Sequence, residues 1–500
     1  MNTVPDNSSC HLPRSLYCAA QVRELDRIAI EEQGIPGATL MARAGQAAFS
    51  VLRQRWPQAR SLGVLCGTGN NGGDGFIVAR LAHEAGYAVR VWQVGDASRI
   101  RGDALTAREQ MQVAGLTVED VTTTDISGVD VLVDGLLGTG LGGEVAGRWR
   151  QAIDAINQAH TQGSGVLALD IPSGLQADTG CILGNAVQAD ACITFIGLKT
   201  GLFTGQGAAV CGTVYFDDLA VPATVYAQLN PVAHRLSWEQ FTLSARNPTA
   251  HKGDFGHVLV AGGDQGMSGA VRLAGEAALR TGAGLVSVAT RAAHAAMISA
   301  ARPELMSHGI EHAAALTPLL KHASVLAVGP GLGRGDWSRL LFSALLESTL
   351  PMVVDADALN LLAVEPVRRD NWVLTPHPGE AARLLEQTVK QIQADRLAAA
   401  TALQQKYGGV VVLKGAGTVI VDAAGGVTIC SEGNPGMASG GMGDVLTGVI
   451  ASLLAQGDSL AEAARQGVCL HAHGADVAAQ DGQRGMLSSD LFPVMRQLLG

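Results

Sequence analysis

The sequence has little charge and few aromatic residues. Asp, Glu, Lys and Arg make up 16% of its 500 residues, against roughly 25% in an average protein, and aromatic residues make up 4%. The formal net charge of −10 argues against a basic surface for nucleic acid or an anionic membrane. Any site for a phosphate-bearing ligand must therefore be local and built largely from backbone groups.

Long apolar runs are also missing. No run reaches the 18 residues that a membrane-spanning helix needs, and the nearest, Val445–Ala455, is typical of a buried core helix. Met1–Arg14 is polar, which argues against a secretory signal. We therefore expect a cytoplasmic protein without a membrane partner.

No Cys-x-x-Cys pair occurs, so cysteine spacing indicates neither a zinc site nor a redox pair. Eight cysteines scattered over a chain of this size are typical of small buried side chains or free thiols in a reducing compartment. They are Cys10, Cys18, Cys66, Cys181, Cys192, Cys211, Cys430 and Cys469.

Glycine is what the chain has in excess, at 63 of 500 residues or about 13%, against about 7% usually. Strand-like apolar runs alternate with amphipathic, helix-like stretches, which indicates parallel sheets with tight strand–helix turns. A chain this long needs more than one core. We predict an α/β protein of two domains, 1–228 and 246–500, joined by a weakly structured linker at 229–245.

Local patterns predict the individual elements. The strand candidates are Leu62–Cys66, Ala88–Val94, Val129–Val133, Val166–Leu169, His257–Ala261, Leu285–Ala289, Val325–Val328, Met352–Val354, Trp372–Leu374 and Val410–Leu413. The helix candidates are Ser15–Gly34, Phe76–Ala85, Asp103–Ala114, Arg148–Ala159, Gly269–Thr281, Trp337–Leu346, Glu380–Glu386 and Asp395–Tyr407. Thr418–Cys430 is predicted to be a hairpin.

The most informative segment is Asn434–Gly448, a glycine-rich loop followed at once by an apolar helix-like run. Glycine lets backbone N–H groups approach a ligand, and a helix start adds a positive dipole end, so the pattern predicts an anion hole. Asp444 places a carboxylate where an anion should bind. This is favourable only if the carboxylate takes a proton or orients a hydroxyl. The alternative is a glycine-rich turn with an ordinary helix N-terminal carboxylate.

Three more loops follow predicted strands of the second half: Gly329–Gly333, Thr375–Glu380 and Leu413–Thr418. Ligands of open α/β sheets bind at the carboxyl ends of strands, so these loops are expected to meet at one site. Taken singly, Lys414 could be a surface charge and His377 a turn residue.

The second half resembles the ribokinase-like superfamily and, within it, the ADP- or ATP-dependent NAD(P)H-hydrate dehydratases. The matching segments are Lys252–Gly256, Ala261–Ala270, Gly282–Leu285, Val328–Gly333, Asp355–Leu359, Thr375–Glu380, Lys414–Thr418 and Asn434–Gly448. The resemblance implies phosphorylation of a hydroxyl at C6 of the hydrated nicotinamide, followed by elimination. Met442 stands where the family usually has Thr.

The resemblance also implies roles for individual residues. Asp444 would be the catalytic base, and the hydrate would bind at Asp444, Ala270, Gly331 and His377. The nucleotide would bind at Lys414, Gly415, Ala416, Gly417, Thr418, Asn434, Gly440, Gly441, Met442 and Gly443. Mg²⁺ would neutralise its phosphates, with its ligands left open and Glu380 as one candidate.

In the first half, Gly67–Gly75 follows a strand but departs from a dinucleotide fingerprint, because Asn70, Asn71 and Asp74 insert polar side chains. Asn71, Asp134 and Ser173 offer oxygen atoms at three predicted strand ends. One carboxylate with neutral oxygens suits a monovalent cation better than Mg²⁺. Ordinary turn and cap chemistry is the alternative.

This half resembles the NAD(P)H-hydrate epimerase (YjeF N-terminal-like) family over about residues 15–225, with a Rossmann-like three-layer α/β/α fold. The matching stretches are Leu40–Gly45, Asn70–Gly75, Asp134–Leu141, Asp170–Gly174 and Lys199–Leu202. Ala42 replaces the usual Glu. The resemblance implies that Asn71, Asp134 and Ser173 bind K⁺ and that Asp170 and Lys199 move protons. It places substrate at Asp170 and at Asn70, Asn71, Gly72, Gly73, Asp74, Gly138, Thr139, Gly140, Leu141, Gly142, Gly143 and Glu144.

The two resemblances complement each other, because hydration yields two C6 epimers and the dehydratase family accepts one. Together they imply a bifunctional repair enzyme that acts on the hydrates of NADH and NADPH with ADP or ATP. We also expect a homo-oligomer. The rival hypothesis is a small-molecule kinase, of hydroxymethylpyrimidine or sugar type, fused to a nucleotide-binding module without catalysis.

Overall fold

The chain divides into two compact units, Met1–His234 and Arg235–Gly500. The computed structural model describes residues 12–120, 125–242 and 245–500. The division falls inside the predicted linker, but this stretch is not weakly structured. It contains a strand, Ala233–Leu236, that pairs antiparallel with Ser15–Leu16, and a short 3₁₀ helix at Trp238–Gln240. Elements of three or four residues are too short to show a period in sequence.

The first unit is built on a parallel sheet. Its strands are β1 (Ser15–Tyr17), β2 (Ser61–Cys66), β3 (Ala88–Gln93), β4 (Val118–Asp120), β5 (Val131–Gly135), β6 (Gly165–Leu169), β7 (Ala191–Phe195), β8 (Leu198–Lys199), β9 (Thr213–Asp217) and β10 (Ala233–Leu236), which reaches two residues past the division. The main sheet has the order β4-β3-β2-β5-β6-β7-β9. Strand order therefore reverses between β2 and β5, which makes their carboxyl ends the topological switch point.

Helices cover this sheet. They are α1 (Ala19–Arg27), α2 (Gly37–Arg55), α3 (Asn70–Glu84), α4 (Gly102–Val113), α5 (Gly147–Thr161), α6 (Gly207–Val210) and α7 (Ala223–Tyr226). The helix predicted over Ser15–Gly34 is in fact β1, α1 and a π-helical turn at Ile28–Glu32. Helix α3 starts at Asn70, six residues before the predicted Phe76, so the polar residues of the glycine loop lie in its first turns.

The second unit has the same kind of layered sheet. Its strands are β11 (His257–Ala261), β12 (Leu285–Thr290), β13 (Met306–Gly309), β14 (Val325–Val328), β15 (Met352–Val354), β16 (Trp372–Leu374), β17 (Val410–Leu413), β18 (Thr418–Val421) and β19 (Val427–Cys430). They follow the order β13-β12-β11-β14-β15-β16-β17-β18-β19. All pairs are parallel except β17–β18 and the hairpin β18–β19. The switch point lies between β11 and β14.

Helices on this sheet include the apolar helix that follows the glycine loop. They are α8 (Ser268–Arg280), α9 (Ala292–Ala301), α10 (Thr317–Leu320), α11 (Asp336–Leu346), α12 (Ala356–Val364), α13 (Pro378–Leu385), α14 (Val389–Ala394), α15 (Arg396–Tyr407), α16 (Met442–Ala455), α17 (Leu460–Ala478) and α18 (Leu491–Leu498). Residues Val445–Leu454 of α16 are all buried, which confirms the predicted core helix. Within the described residues, no helix has the length and hydrophobicity needed to cross a membrane.

Candidate active sites

A cavity of about 570 Å³ opens at the switch point of the first unit. Predicted substrate-binding and catalytic residues line it, namely Asn70, Asn71, Asp74, Gly138, Thr139, Gly140, Leu141, Gly142, Asp170 and Lys199. They come from the start of α3 and from the segments that follow β5, β6 and β7. The fold thus gathers residues more than 100 positions apart around one volume.

The floor of this cavity holds a buried ion pair. Lys199 is fully buried, and its Nζ donates hydrogen bonds to Asp170, to Thr194 Oγ1 at 2.9 Å and to the Phe195 carbonyl at 3.1 Å. Asp170 follows β6 with φ at +63°, a conformation that is uncommon outside glycine and that clusters at functional sites. The strained backbone and the ion pair together fix the carboxylate in one position.

Two further carboxyl groups lie near this pair. Burial, reinforced by Asp170 and Asp26 and opposed by Lys199, raises the pKa of Asp74 well above its usual value. Burial also raises the pKa of Asp26, on α1, to about 6, against the opposing effect of Lys199. Sequence reasoning missed Asp26. Its place in an ordinary amphipathic helix gives no signal.

Of the three predicted cation ligands, Asn71 lines the cavity, whereas Asp134 and Ser173 do not. Asp134 is fully buried and accepts hydrogen bonds from Ser173 Oγ at 2.6 Å and Ser173 N at 2.8 Å. Burial raises the pKa of Asp134 to about 6, opposed by these hydrogen bonds. Asn71 Nδ2 donates to the Leu137 carbonyl at 3.1 Å, whereas Asn71 Oδ1 is buried and has no hydrogen-bond partner among the described residues. The Leu137 amide donates to Ser173 Oγ at 2.8 Å, and Ser173 Oγ lies 3.2 Å from the Leu137 carbonyl oxygen, so Asn71 and Ser173 contact the same residue.

Other predicted residues of this half lie elsewhere. Gly72 and Gly73 are buried in α3, where a Cβ at Gly72 would lie 2.2 Å from the Gly67 carbonyl oxygen, so they serve close packing. Gly143 and Glu144 are exposed and do not line the cavity. Ala42 is exposed on α2 and lines a separate surface groove. The absence of the Glu that is usual in the family therefore removes no side chain from the lining of this cavity.

In the second unit, Asp444 lies in the first turn of α16, directly after the glycine loop. Burial and the neighbouring Asp355 raise the pKa of Asp444 to about 7, although Lys414 opposes the shift. A general base works best when its pKa lies near the working pH. The group thus has the protonation behaviour expected of a base that accepts a proton from a hydroxyl at neutral pH.

Lys414 and Asp355 form the charged centre beside Asp444. Lys414 Nζ donates to Asp355 Oδ1 at 2.6 Å, and Thr447 Oγ1 donates to Asp355 Oδ2 at 2.8 Å. A Cβ at Gly443 would lie 3.3 Å from Lys414 Nζ, so the loop packs against this ammonium group. Burial alone lowers the pKa of Lys414, but Asp355 and Glu380 outweigh it and raise the net value, so Lys414 is charged.

Glycine conformation shapes the loop itself. Gly441 has φ at +90°, and a Cβ there would lie 2.5 Å from Ser488 Oγ. Met442 is 6% exposed and packs into the hydrophobic core beneath the loop, so only its backbone can face a ligand. Burial together with Lys414 lowers the pKa of buried His471 to about 4, against the opposing effect of the Met442 backbone. A neutral imidazole therefore lies beside the loop backbone.

Buried side chains hold the predicted nucleotide segments. Arg396 Nη2 donates to the carbonyls of Leu413 at 3.1 Å, Lys414 at 3.2 Å and Gly417 at 3.4 Å. Asn434 caps the turn after it and donates to Asp476 Oδ1 at 2.9 Å, so its side chain shapes the loop. Sequence reasoning missed Arg396, since a basic residue at a helix start has no motif.

Only some of the residues predicted to contact the hydrate are shown to lie next to one another. Gly331 has φ at +54°, and a Cβ there would lie 3.1 Å from Ala270 Cβ, so these two small residues adjoin. His377 caps α13, its Nε2 lying 3.2 Å from Glu380 Oε1. Burial raises the pKa of Glu380 to about 7. The charge of Lys414 opposes this increase, and the charge of Asp355 adds to it.

These features describe a two-unit α/β enzyme, with a cavity lined by buried ionisable side chains in one unit and a glycine-rich loop followed by a carboxyl of raised pKa in the other. The sequence profile described as NAD(P)H-hydrate dehydratase matches residues 258–497, and the one described as YjeF-related protein N-terminus matches 37–201. The chain belongs to the family of bifunctional NAD(P)H-hydrate repair enzymes.

Individual relatives carry that conclusion. The chain is 48% identical to the bifunctional NAD(P)H-hydrate repair enzyme Nnr of Coxiella burnetii, over 97% of this chain and 99% of that protein. It is 45% identical to the enzyme of the same name from Escherichia coli K12, over 98% and 94%. A solved ribokinase-like superfamily protein from Enterococcus faecalis V583 matches with a TM-score of 0.50 and 29% identity, over 54% of this chain and 96% of that one. These matches favour the repair enzyme over the rival kinase.

Proposed function

We propose that the chain repairs hydrated nicotinamide nucleotides with two activities. The first unit interconverts the (R)- and (S)-hydrates of NADH and NADPH, and the second dehydrates the (S)-form with ADP, giving AMP and phosphate, or with ATP. The observation that carries the proposal is Asp444, a carboxyl with a pKa of about 7 in the first turn of a helix behind a glycine loop.

Dehydration needs a hydroxyl turned into a good leaving group. The oxygen of the C6 hydroxyl attacks the terminal phosphorus of the nucleotide, while Asp444 accepts the proton of that hydroxyl. The bond that joins this phosphorus to the rest of the nucleotide breaks in the same step. The amides of Gly440–Gly443 stabilise negative charge on the transferring group. The C6–O bond then breaks, phosphate leaves, and loss of a proton from the neighbouring carbon restores the reduced nicotinamide.

The nucleotide lies between the Lys414–Thr418 turn and the Asn434–Gly443 loop in this proposal. Asp355, Glu380 and Asp444 place three carboxyl groups around Lys414. Because these carboxyl groups outnumber the single ammonium group, the site fits the Mg²⁺ that the phosphates carry. When bound, Mg²⁺ neutralises charge on the phosphates. Lys414 adds a fixed positive charge on the same side.

Epimerisation inverts C6, which needs a base and an acid near one centre. Asp170, held by Lys199, is the proposed base, and Asp74, whose pKa burial raises, is the proposed acid at the start of α3. Asn71, Asp134 and Ser173 fit K⁺, because Asn71 Oδ1 is a buried acceptor with no partner among the described residues. When bound, K⁺ supplies positive charge at the cavity edge.

The experiment that tests this proposal follows recovery of the reduced-nicotinamide absorbance from resolved hydrates. We expect the (S)-hydrate to be converted only when ADP or ATP and Mg²⁺ are present, with an equal amount of phosphate released. Asp444→Asn should abolish this conversion while epimer exchange, followed by chromatography, continues. Asp458→Asn, in the turn that follows the same helix, is the matched control and should convert normally. Recovery without nucleotide, or a stable phosphorylated product, would refute the dehydratase assignment.

Buried free thiols such as those of Cys192 and Cys211 are in keeping with a reducing compartment, and we place the protein in the cytoplasm. The expected homo-oligomer remains a prediction. Light scattering on the purified chain measures its state directly.

A further inference from the structure

Two cysteines far apart in sequence meet in the core of the second unit. Cys430 ends β19 and Cys469 lies on α17, and their Sγ atoms are 3.7 Å apart. Both are buried free thiols, at 1% and 0% exposure. A disulfide requires about 2.05 Å between the sulfur atoms, so the structure holds the pair side by side without a bond.

The spacing of the two sulfur atoms suits a shared metal ion. Zinc binds thiolate sulfur at about 2.3 Å, and two ligands of a tetrahedron with that radius lie about 3.8 Å apart. Two packed thiols also reach this separation. The sulfur–sulfur distance therefore needs a further observation before it indicates a cation.

That observation is the carboxylate of Glu432. One of its oxygen atoms and the two sulfur atoms all lie within 4.8 Å of one another. The Glu432 side chain is 18% exposed, and its carboxylate adds a third ligand atom next to the two buried sulfur atoms. Carboxylate oxygen and thiolate sulfur are both established zinc ligands.

The surroundings of Glu432 hold it in place. Its two oxygen atoms accept the Trp238 amide at 3.2 and 3.1 Å, and His473 Nδ1 lies 3.5 Å from Oε1. His473 is four residues after Cys469 on α17, so both face the same side of the helix. Partners of this kind orient metal-bound carboxylates in known sites.

We propose that Cys430, Glu432 and Cys469 form a binding site for Zn²⁺ or a similar thiol-seeking divalent cation, with His473 orienting the carboxylate. Thiolate ligands exclude Mg²⁺, which takes oxygen. The site joins the end of β19 to the middle of α17. Gly433 and Asn434 follow immediately and bind Asp476 of the same helix, so the cation fixes the base of the anion-binding loop.

Cobalt titration of the full chain tests the proposal. Chelator-stripped protein, kept reduced with a phosphine, is titrated with Co²⁺ alone and then with Zn²⁺. We expect one equivalent of Co²⁺ to produce a thiolate charge-transfer band and the strong visible bands of tetrahedral cobalt, which Zn²⁺ removes. Cys430→Ser and Cys469→Ser should lose the bands, and Glu432→Gln should weaken Co²⁺ binding by at least about tenfold. Cys211→Ser, a buried cysteine of the first unit, should behave like the unchanged chain.

A second measurement does not depend on variants folding. Zn²⁺ should slow alkylation of Cys430 and Cys469 in the unchanged chain, read by mass spectrometry, but not that of Cys211. The proposal is overturned if folded protein gives no charge-transfer band. It is also overturned if the band survives Cys430→Ser, or if both thiols alkylate equally with and without zinc. None of these readouts depends on turnover of the hydrate.

Discussion

Both candidate sites contain carboxyl groups whose protons burial retains to an unusually high pH. Asp444 and Glu380 have pKa values of about 7, and Asp26 and Asp134 of about 6. A surface aspartate is almost fully ionised at pH 7 and is a weak base. Removal of these carboxyl groups from water therefore sets the pKa values that the proposed chemistry needs. Burial of this kind depends on the tertiary fold and is hard to predict from sequence alone.

The pH dependence of dehydration follows from Asp444. As a base it must be ionised, so kcat/KM should rise through about pH 7 and level off above it. Asp355→Asn removes a charge that raises the pKa of Asp444, so the midpoint should move to lower pH by on the order of one unit. Exposed Asp336→Asn should leave it in place. A midpoint that is the same in all three proteins would exclude Asp444 as the titrating base.

Substitution of Met442 tests whether this loop position acts on the nucleotide through its backbone or through its side chain. Because its side chain lies in the core, Met442→Thr should not improve nucleotide KM, although it restores the residue usual in the family. The loss of buried apolar volume and the introduced hydroxyl should lower the free energy of unfolding by about 2–4 kcal/mol. Urea unfolding and nucleotide KM measure the two effects. A markedly lower KM would show that a hydroxyl can reach the nucleotide.

At the scale of elements, the predicted strands and six of the eight predicted helix starts lie within two residues of the observed ones, whereas α3 starts six residues earlier than predicted. Five second-unit strands have the predicted bounds, because parallel strands buried on both faces read as plain apolar runs bounded by polar turns. Helix α3 begins among glycines and asparagines, where helix propensity is low and packing decides. Asp170 and Asp444 could be found because they follow a strand or a glycine loop, and Lys199 through the family resemblance. Asp355 directly follows β15, so the same strand-end signal was available for it. Asp26 and Arg396 reach their sites only through the tertiary fold.

Arg396 shows how one element supports another. Burial lowers its pKa to about 10, so it is still charged at neutral pH, and it joins the start of α15 to the turn after β17. Arg396→Met leaves the turn carbonyls without their donor, so nucleotide KM should rise on the order of tenfold with a smaller change in kcat. Arg383→Met, which lies on α13 and bonds to Asn360, is the matched control. An equal fall in kcat with unchanged KM would contradict a positioning role.

At the scale of the whole molecule, two units with separate sites predict separable activities. Asp170→Asn should stop epimer exchange and leave dehydration of the (S)-hydrate intact. Given a mixture of epimers with ADP and Mg²⁺, the variant should stop once the (S)-share is consumed, whereas the unchanged chain should consume both. Asp154→Asn, at an exposed position of α5, is the control and should also run to completion. Full conversion by Asp170→Asn would show that the first unit does not supply the (S)-form.

The carboxyl groups of the first unit also link its folding to proton uptake. Asp26 and Asp134 have a pKa of about 6 when folded and about 3.8 when exposed, so the folded unit holds protons that the unfolded chain releases. Their stabilising effect is complete below about pH 3.8 and is lost as the pH rises through 6. Calorimetric unfolding near pH 5 should therefore liberate protons, and its measured heat should change with the ionisation enthalpy of the buffer.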